Sequence, residues 1–185
     1  MFKHLDKNAK NHIQTNVIYT DFAKAFDKVN HKKLIEVLFS YGIRGQVLRW
    51  IKCFLSNRKQ RVYIGDQQSN SLEVFSGVPQ GSVIGPLLFV LYIDDIVNSC
   101  AGTCEISLFA DDSKLYSTNK FDLQKTLDNF LSFVDKRNLK LSLEKCRHLI
   151  ISDKLCDTTF KLNNFKVEQC TMVKDLGIII SCSLK

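Results

Sequence analysis

The chain has 185 residues, 45% of them hydrophobic, which suits one domain with a sizeable core. Its 26 Lys and Arg exceed its 19 Asp and Glu, and the net charge of +7 leans toward a polyanionic partner such as nucleic acid. Seven cysteines at scattered spacings, with no Cys-x-x-Cys, exclude a zinc ribbon and point to a reducing compartment, and the longest apolar run, residues 83–93, is too short to span a bilayer.

The first fifteen residues are polar and unpatterned; they show no signal peptide and read as a ragged start. Residues 16–20 read as a buried strand. Leu34, Ile35, Val37 and Leu38 predict a helix over 31–40, with Gly42 as its stop. Val47, Leu48, Ile51, Phe54 and Leu55 predict a second over 46–55. A basic patch, residues 58–61, follows. Residues 61–64 and 72–75 read as strands joined across Gly65-Asp66. Ser82 opens a third helix, with Pro86 early in it, running to about Asn98.

Strands over 105–110 and 114–118 flank Asp111-Asp112-Ser113. Residues 121–137 form an amphipathic helix with Leu123, Leu127, Phe130, Leu131 and Val134 on one stripe. A strand over 147–152 follows, then 160–162 and 165–167 around an Asn163-Asn164 turn, then an apolar segment over 173–180. Strands and helices mix without strict alternation, so the expected class is α+β.

Three acidic positions stand out in this frame. Asp21 closes the first strand, and Asp111 and Asp112 occupy a hairpin tip. Each has an ordinary reading by itself, since an Asp often caps a strand and an Asp pair often makes a turn. Carboxylates that converge from a strand end and a hairpin tip bind hard divalent cations, and paired cations roughly 3.5–4 Å apart catalyse phosphoryl transfer. Between these positions, Gly77-Val78-Pro79-Gln80-Gly81-Ser82 places small residues before a helix, where a nucleotide can approach the backbone. The four histidines show no ligand pattern.

The wording around these residues resembles the palm of reverse transcriptases from non-LTR, LINE-like (jockey-type) retrotransposons. Thr20-Asp21-Phe22-Ala23-Lys24-Ala25-Phe26-Asp27 resembles the first polymerase motif. Residues 77–82 with Gly85-Pro86-Leu87-Leu88-Phe89 resemble the second, and Phe109-Ala110-Asp111-Asp112 the third. Tyr92-Ile93-Asp94-Asp95 competes for the third. Asp94 follows Gln80 by only 14 positions (94 − 80), an interval filled by the helix, whereas Asp111 follows it by 31 (111 − 80). Asp94 and Asp95 are therefore read as a solvated helix end.

The resemblance implies a polymerase palm with an antiparallel sheet backed by helices. Residues 16–185 would form the palm domain, with about 28–78 partly fingers-like, and the thumb would be absent. It implies an RNA-directed DNA polymerase adding deoxynucleotides to a primer 3′-hydroxyl. Two Mg²⁺ ions, with Mn²⁺ as a substitute, would be held by Asp21, the Phe22 carbonyl, Asp111 and Asp112. Phe26 would clash with a ribose 2′-hydroxyl. Gln80 and Gly81 would line the nucleotide and template pocket. Lys145 would protonate or hold pyrophosphate, and Leu176 and Gly177 would support the primer end.

The implied partners are an RNA template, a DNA primer and deoxynucleoside triphosphates, with no membrane and with oligomeric state left open. The implied location is intracellular, nuclear or cytoplasmic. Only fifteen residues precede residue 16, so a truncated retrotransposon product without upstream fingers motifs is expected. Three alternatives stay open: a catalytically inactive remnant, a basic nucleic-acid-binding module, and a group II intron or retron-type enzyme.

Overall fold

From Thr15 to Thr20 every residue is buried, and the β-branched and aromatic run Val-Ile-Tyr-Thr suits a central strand covered on both faces. The computed structural model describes residues 13–100, 102, 104–152 and 158–182. In chain order the elements begin with β1 (Thr15–Asp21), a 3₁₀ turn (Phe26–Lys28), α1 (His31–Ser40) and α2 (Gly45–Leu55). Then come β2 (Arg58–Gln60), β3 (Tyr63–Ile64), β4 (Gln67–Gln68), β5 (Leu72–Val74), α3 (Gly85–Ile93) and α4 (Ile96–Ser99). The carboxylate hairpin is β6 (Glu105–Phe109) and β7 (Asp112–Ser117), followed by α5 (Lys120–Lys136), a 3₁₀ turn (Leu143–Lys145) and β8 (Arg147–Ile151). The chain continues with β9 (Lys161–Leu162), β10 (Phe165–Lys166), β11 (Glu168–Cys170), β12 (Met172–Asp175) and β13 (Ile178–Ser181).

These elements form two compact units. The first contains β1, the carboxylate hairpin, α4, α5 and everything from Lys140 onward. Its sheet runs β11-β8-β1-β7-β6. All neighbours are antiparallel except β8 and β11. Alternation sends Val17 and Tyr19 to one face, where they pack with Tyr116, Leu149, Ile151 and Ile180. The opposite face carries Ile18, Leu115 and His148, and α5 packs on β7 with Leu123, Leu127 and Phe130 fully buried. α5 forms because its apolar residues recur every three or four positions.

The second unit, Lys24–Asp95 with Arg137–Leu139, is built on α1, α2 and α3. α1 is capped by Asn30, whose side chain accepts from the Lys33 amide at 3.0 Å. α3 is apolar on nearly every side, as a helix buried in a core requires. It ends at Asp94, which accepts from the Tyr41 hydroxyl at 2.8 Å. Asp95 takes a bidentate contact from Arg137 at 2.5 and 2.6 Å. The pair is a helix end tied by hydrogen bonds and an ion pair.

The α+β class, β1 and the boundaries of α1 agree with expectation; several boundaries do not. Residues 1–12 lie outside the described residues, and Thr15 belongs to β1 rather than to a ragged start. Residues 61–64 and 72–75 do not pair: β2 pairs with β5, and β3 with β4 across Gly65-Asp66. The third helix starts at Gly85, not Ser82, and breaks after Ile93, because the Ser82 hydroxyl closes a turn by donating to the Pro79 carbonyl at 2.6 Å. The hairpin tip is Ala110-Asp111, so Asp112 lies within β7. The apolar segment over 173–180 is a hairpin, with Ile178 and Ile179 exposed.

Candidate active site

The first unit places its carboxylates by register. Asp21 and Asp112 are Cα partners across β1 and β7 and therefore share a face. That face also carries Tyr19, Lys114 and Tyr116. Phe109 pairs with Asp112, leaving Ala110-Asp111 as a two-residue turn. Ala110 has φ +53°, the left-handed value that opens a tight hairpin turn and normally favours Gly.

The chain after α5 returns along the end of β1 and delivers Lys145. Ala23 donates its amide to the Lys140 carbonyl at 2.7 Å, and Ser142 donates to the Asp21 carbonyl at 2.8 Å. Phe22 bridges to Leu141 and is buried near the Phe130 ring, 6.1 Å between centroids. Lys145 itself is exposed, with Nζ 2.8 Å from Asp21 Oδ2. The contact with Asp21 pushes its pKa up, helped by the charges of Asp111 and Asp112.

The carboxylates repel one another. The Asp112 side chain reaches solvent, yet its pKa is raised, first by partial desolvation, then by the charges of Asp111, Asp21 and Asp175, against the pull of Lys114. Asp21 Oδ2 is inaccessible to solvent and lacks a hydrogen bond of good geometry, so the ammonium of Lys145 is its only nearby compensation among the described residues. Among the described residues, no three or more His, Cys, Asp or Glu side chains are gathered closely enough to hold a metal ion by themselves. Magnesium needs no such group of three. One or two carboxylates with substrate phosphates suffice, and the donors here are oxygen alone. The residues therefore fit a hard divalent cation in chemistry, with Asp21 and Asp112 as the paired donors.

The second unit holds the other motif residues. Gly77 has φ +80°, and a Cβ there would lie 2.7 Å from Asp27 Cα and from the Phe26 carbonyl oxygen. Only Gly fits. Its amide donates to Val29 at 2.8 Å, and the Val78 amide donates to Phe26 at 2.8 Å. The first and second motifs are thus sewn together by backbone. Phe26 stacks on Phe89, centroids 4.7 Å apart, so part of its ring belongs to the core. Gln80 donates to Asp27 Oδ1 at 3.1 Å, and Gly81 is open on its Cβ side.

A cavity of about 910 Å³ lies beside this loop, lined by Lys24, Lys28, Arg58, Lys59, Pro79 and Gln80 among others. Arg58 is not a free surface charge. It donates to the carbonyls of Ser76 at 2.8 Å and Gly77 at 2.5 Å, and burial lowers its pKa. The other charged residues of the lining are Lys24, Lys28 and Lys59 with the carboxylates Asp27 and Glu73.

Leu176 and Gly177 form the β12–β13 turn, with φ of +47° and +87°. Sequence reasoning missed two buried charged residues, Lys114 and Asp175. Alternation along β7 was the available signal, since it puts Lys114 on the face of Asp112.

Comparison with known proteins follows the same lines. Residues 2–180 match the family model described as reverse transcriptase (RNA-dependent DNA polymerase). The chain is 27% identical over 142 residues to a Pol polyprotein from the type-1 retrotransposable element R2 of Popillia japonica, covering 71% of this chain and 23% of that protein. It is 28% identical over 179 residues to an RNA-directed DNA polymerase from mobile element jockey of Drosophila funebris, covering 90% and 19%. The chain thus spans about a fifth of these curated relatives. The structure of apo telomerase from Candida tropicalis superposes with a TM-score of 0.66 at 13% identity, covering 98% of this chain and 38% of that one; this likeness concerns the fold.

Proposed function

The chain belongs to the reverse transcriptase (RNA-dependent DNA polymerase) family, and we propose that it carries the palm of an RNA-directed DNA polymerase of the LINE-like kind. The observation that carries this reading is the cross-strand pairing of Asp21 with Asp112, with Asp111 at the adjacent turn. Asp111 and Asp21 raise the pKa of Asp112, so gathering these like charges at one strand end opposes folding at Asp112. Such a cluster has a use once a divalent cation arrives.

Asp21, Asp112 and Asp111 would hold Mg²⁺, with Mn²⁺ as substitute and with two ions as the working number. Phe22 would contribute its carbonyl. When bound, the ions supply charge stabilisation to the oxygens of the transferring phosphoryl group. The chain's own residues do the rest. Lys145 offers a proton or a charge-assisted hydrogen bond to the departing pyrophosphate. Phe26, stacked on Phe89, would crowd a ribose 2′-hydroxyl and favour deoxynucleotides. Gln80 and Gly81 line the nucleotide and template, and Leu176 and Gly177 support the primer end. The template is RNA, the primer DNA, and the setting intracellular. Among the described residues, no helix is long and apolar enough to cross a membrane.

Primer extension on an oligo(dT)-primed poly(rA) template with Mg²⁺ tests the reading. Wild type should extend, Asp21→Ala and Asp111→Ala should each abolish extension, and Asp94→Ala should retain most of it. Loss in Asp94→Ala equal to that in Asp111→Ala would refute the assignment of the carboxylates.

A further inference from the structure

Lys114 and Asp175 form an ion pair almost wholly out of solvent, with side chains 7% and 3% exposed. Lys114 stands on β7 two residues after Asp112, on the same face. Asp175 is the last residue of β12, immediately before the Leu176-Gly177 turn. Apolar residues lie on one side, where Val17, Tyr116 and Ile180 pack in the same layer with Val173 against them; the carboxylates lie on the other. A buried pair of this kind gains little over an apolar pair of equal volume, because desolvation offsets the attraction. What it adds is direction, since Asp175 on the hairpin has to meet the ammonium of Lys114 on β7.

We propose that the Lys114–Asp175 pair is a latch that fixes the β12–β13 turn relative to the carboxylate strand, and so sets where a primer end lies against Asp21 and Asp112. The inference rests on the polymerase reading for its consequence but not for its geometry. Two further observations support it. Leu176 is held at φ +47°, a conformation that a bulky residue keeps only when its surroundings enforce it. A cavity of about 220 Å³ is lined by Asp21, Asp112, Lys145, Asp175 and Leu176, so the latched turn and the carboxylates border one space. Asp175 Oδ2 and the Tyr19 hydroxyl are both buried there without a hydrogen-bond partner among the described residues. The pair therefore engages one oxygen of Asp175 and leaves the other facing desolvated surroundings. Lys114 and Asp175 are positioning residues, acting through the turn they hold.

The test uses the full chain as Asp175→Asn, Lys114→Met, and the apolar double variant Lys114→Met with Asp175→Leu. Hydrogen exchange of residues 172–181 is read without substrate, and primer-extension kinetics beside it. The latch predicts exchange at least tenfold faster over 172–181 in each single variant, with β1 and β8 unchanged. It predicts kcat lowered at least tenfold with the KM for deoxynucleotide within twofold. The double variant should regain thermal stability but not kcat. Unchanged exchange in the single variants would overturn the latch, as would a double variant that recovers kcat together with stability. Should a single variant fail to fold, the kcat of the double variant decides. A wild-type chain unable to extend any primer would count against the polymerase reading, and the exchange difference would still uphold or overturn the latch.

Discussion

Replacing Gly77 by Ala probes the seam that joins the first two motifs. The residue sits at φ +80°, where a Cβ costs about 1 kcal/mol. The added carbon would also stand 2.7–2.8 Å from three backbone atoms of Phe26 and Asp27. Backbone cannot swing aside as a side chain can, so the loop must lift. Lifting it stretches the Gly77-to-Val29 and Val78-to-Phe26 hydrogen bonds, each worth about 1 kcal/mol. Stiffening of the unfolded chain returns roughly 0.4–1 kcal/mol. The expected net loss is about 2–2.5 kcal/mol. Gly81 is the internal control, having the same φ of +80° with no atom within 4 Å of its Cβ position. Gly81→Ala should therefore cost less than about 1 kcal/mol. Urea unfolding of the two variants, compared by linear extrapolation, measures the difference. Two losses within about 0.5 kcal/mol of each other would refute the steric argument, because only the shared φ penalty would remain.

Other positions give independent tests. His148 is fully buried, and burial pushes its pKa down from 6.5 to about 4. Its contribution is thus complete above pH 6.5 and lost as pH falls toward 4. Wild type should lose about 3 kcal/mol more than His148→Gln between pH 7 and pH 4 in urea unfolding, and parallel losses would contradict this. The raised pKa of Asp112 means that its ionised form opposes folding, so in EDTA the stability of wild type relative to Asp112→Asn should rise as pH falls toward the ordinary carboxylate range. Asp112→Asn should melt no lower than wild type at pH 7; a clearly lower Tm would contradict the repulsion argument. Leu176→Asn, which suits a left-handed turn before Gly177, should stabilise the hairpin by about 0.5–1 kcal/mol while weakening primer–template binding. A drop in Tm would show that Leu176 packs rather than strains.

Much of the first unit was legible because its elements carry their own signals. The unbroken burial of β1 follows from an apolar run that Asp21 closes, and α5 follows from its helical stripe. The carboxylate hairpin was legible from alternation on both sides of the acidic pair. The 58–75 region was not, because its strands are two or three residues long and mostly exposed, so pairing is set by turns rather than by a hydrophobic face. The start of α3 was misplaced because Ser82 looks like a cap. Its hydroxyl does accept from the Gly85 amide at 3.1 Å, but it closes a turn on Pro79 before the helix begins. Lys114 and Asp175 are 61 positions apart (175 − 114). Each alone reads as a surface charge, and only the packing of β12–β13 on the sheet reveals them as a buried pair.

The measurement closest to the central claim is a titration of the full chain with Mn²⁺ in the presence of a primer–template duplex, followed by electron paramagnetic resonance of the free ion. The account predicts saturable binding that weakens at least tenfold in Asp21→Asn and in Asp112→Asn and is unchanged in Asp94→Asn. Binding that survives both of the first two substitutions, or that disappears in Asp94→Asn, would contradict it.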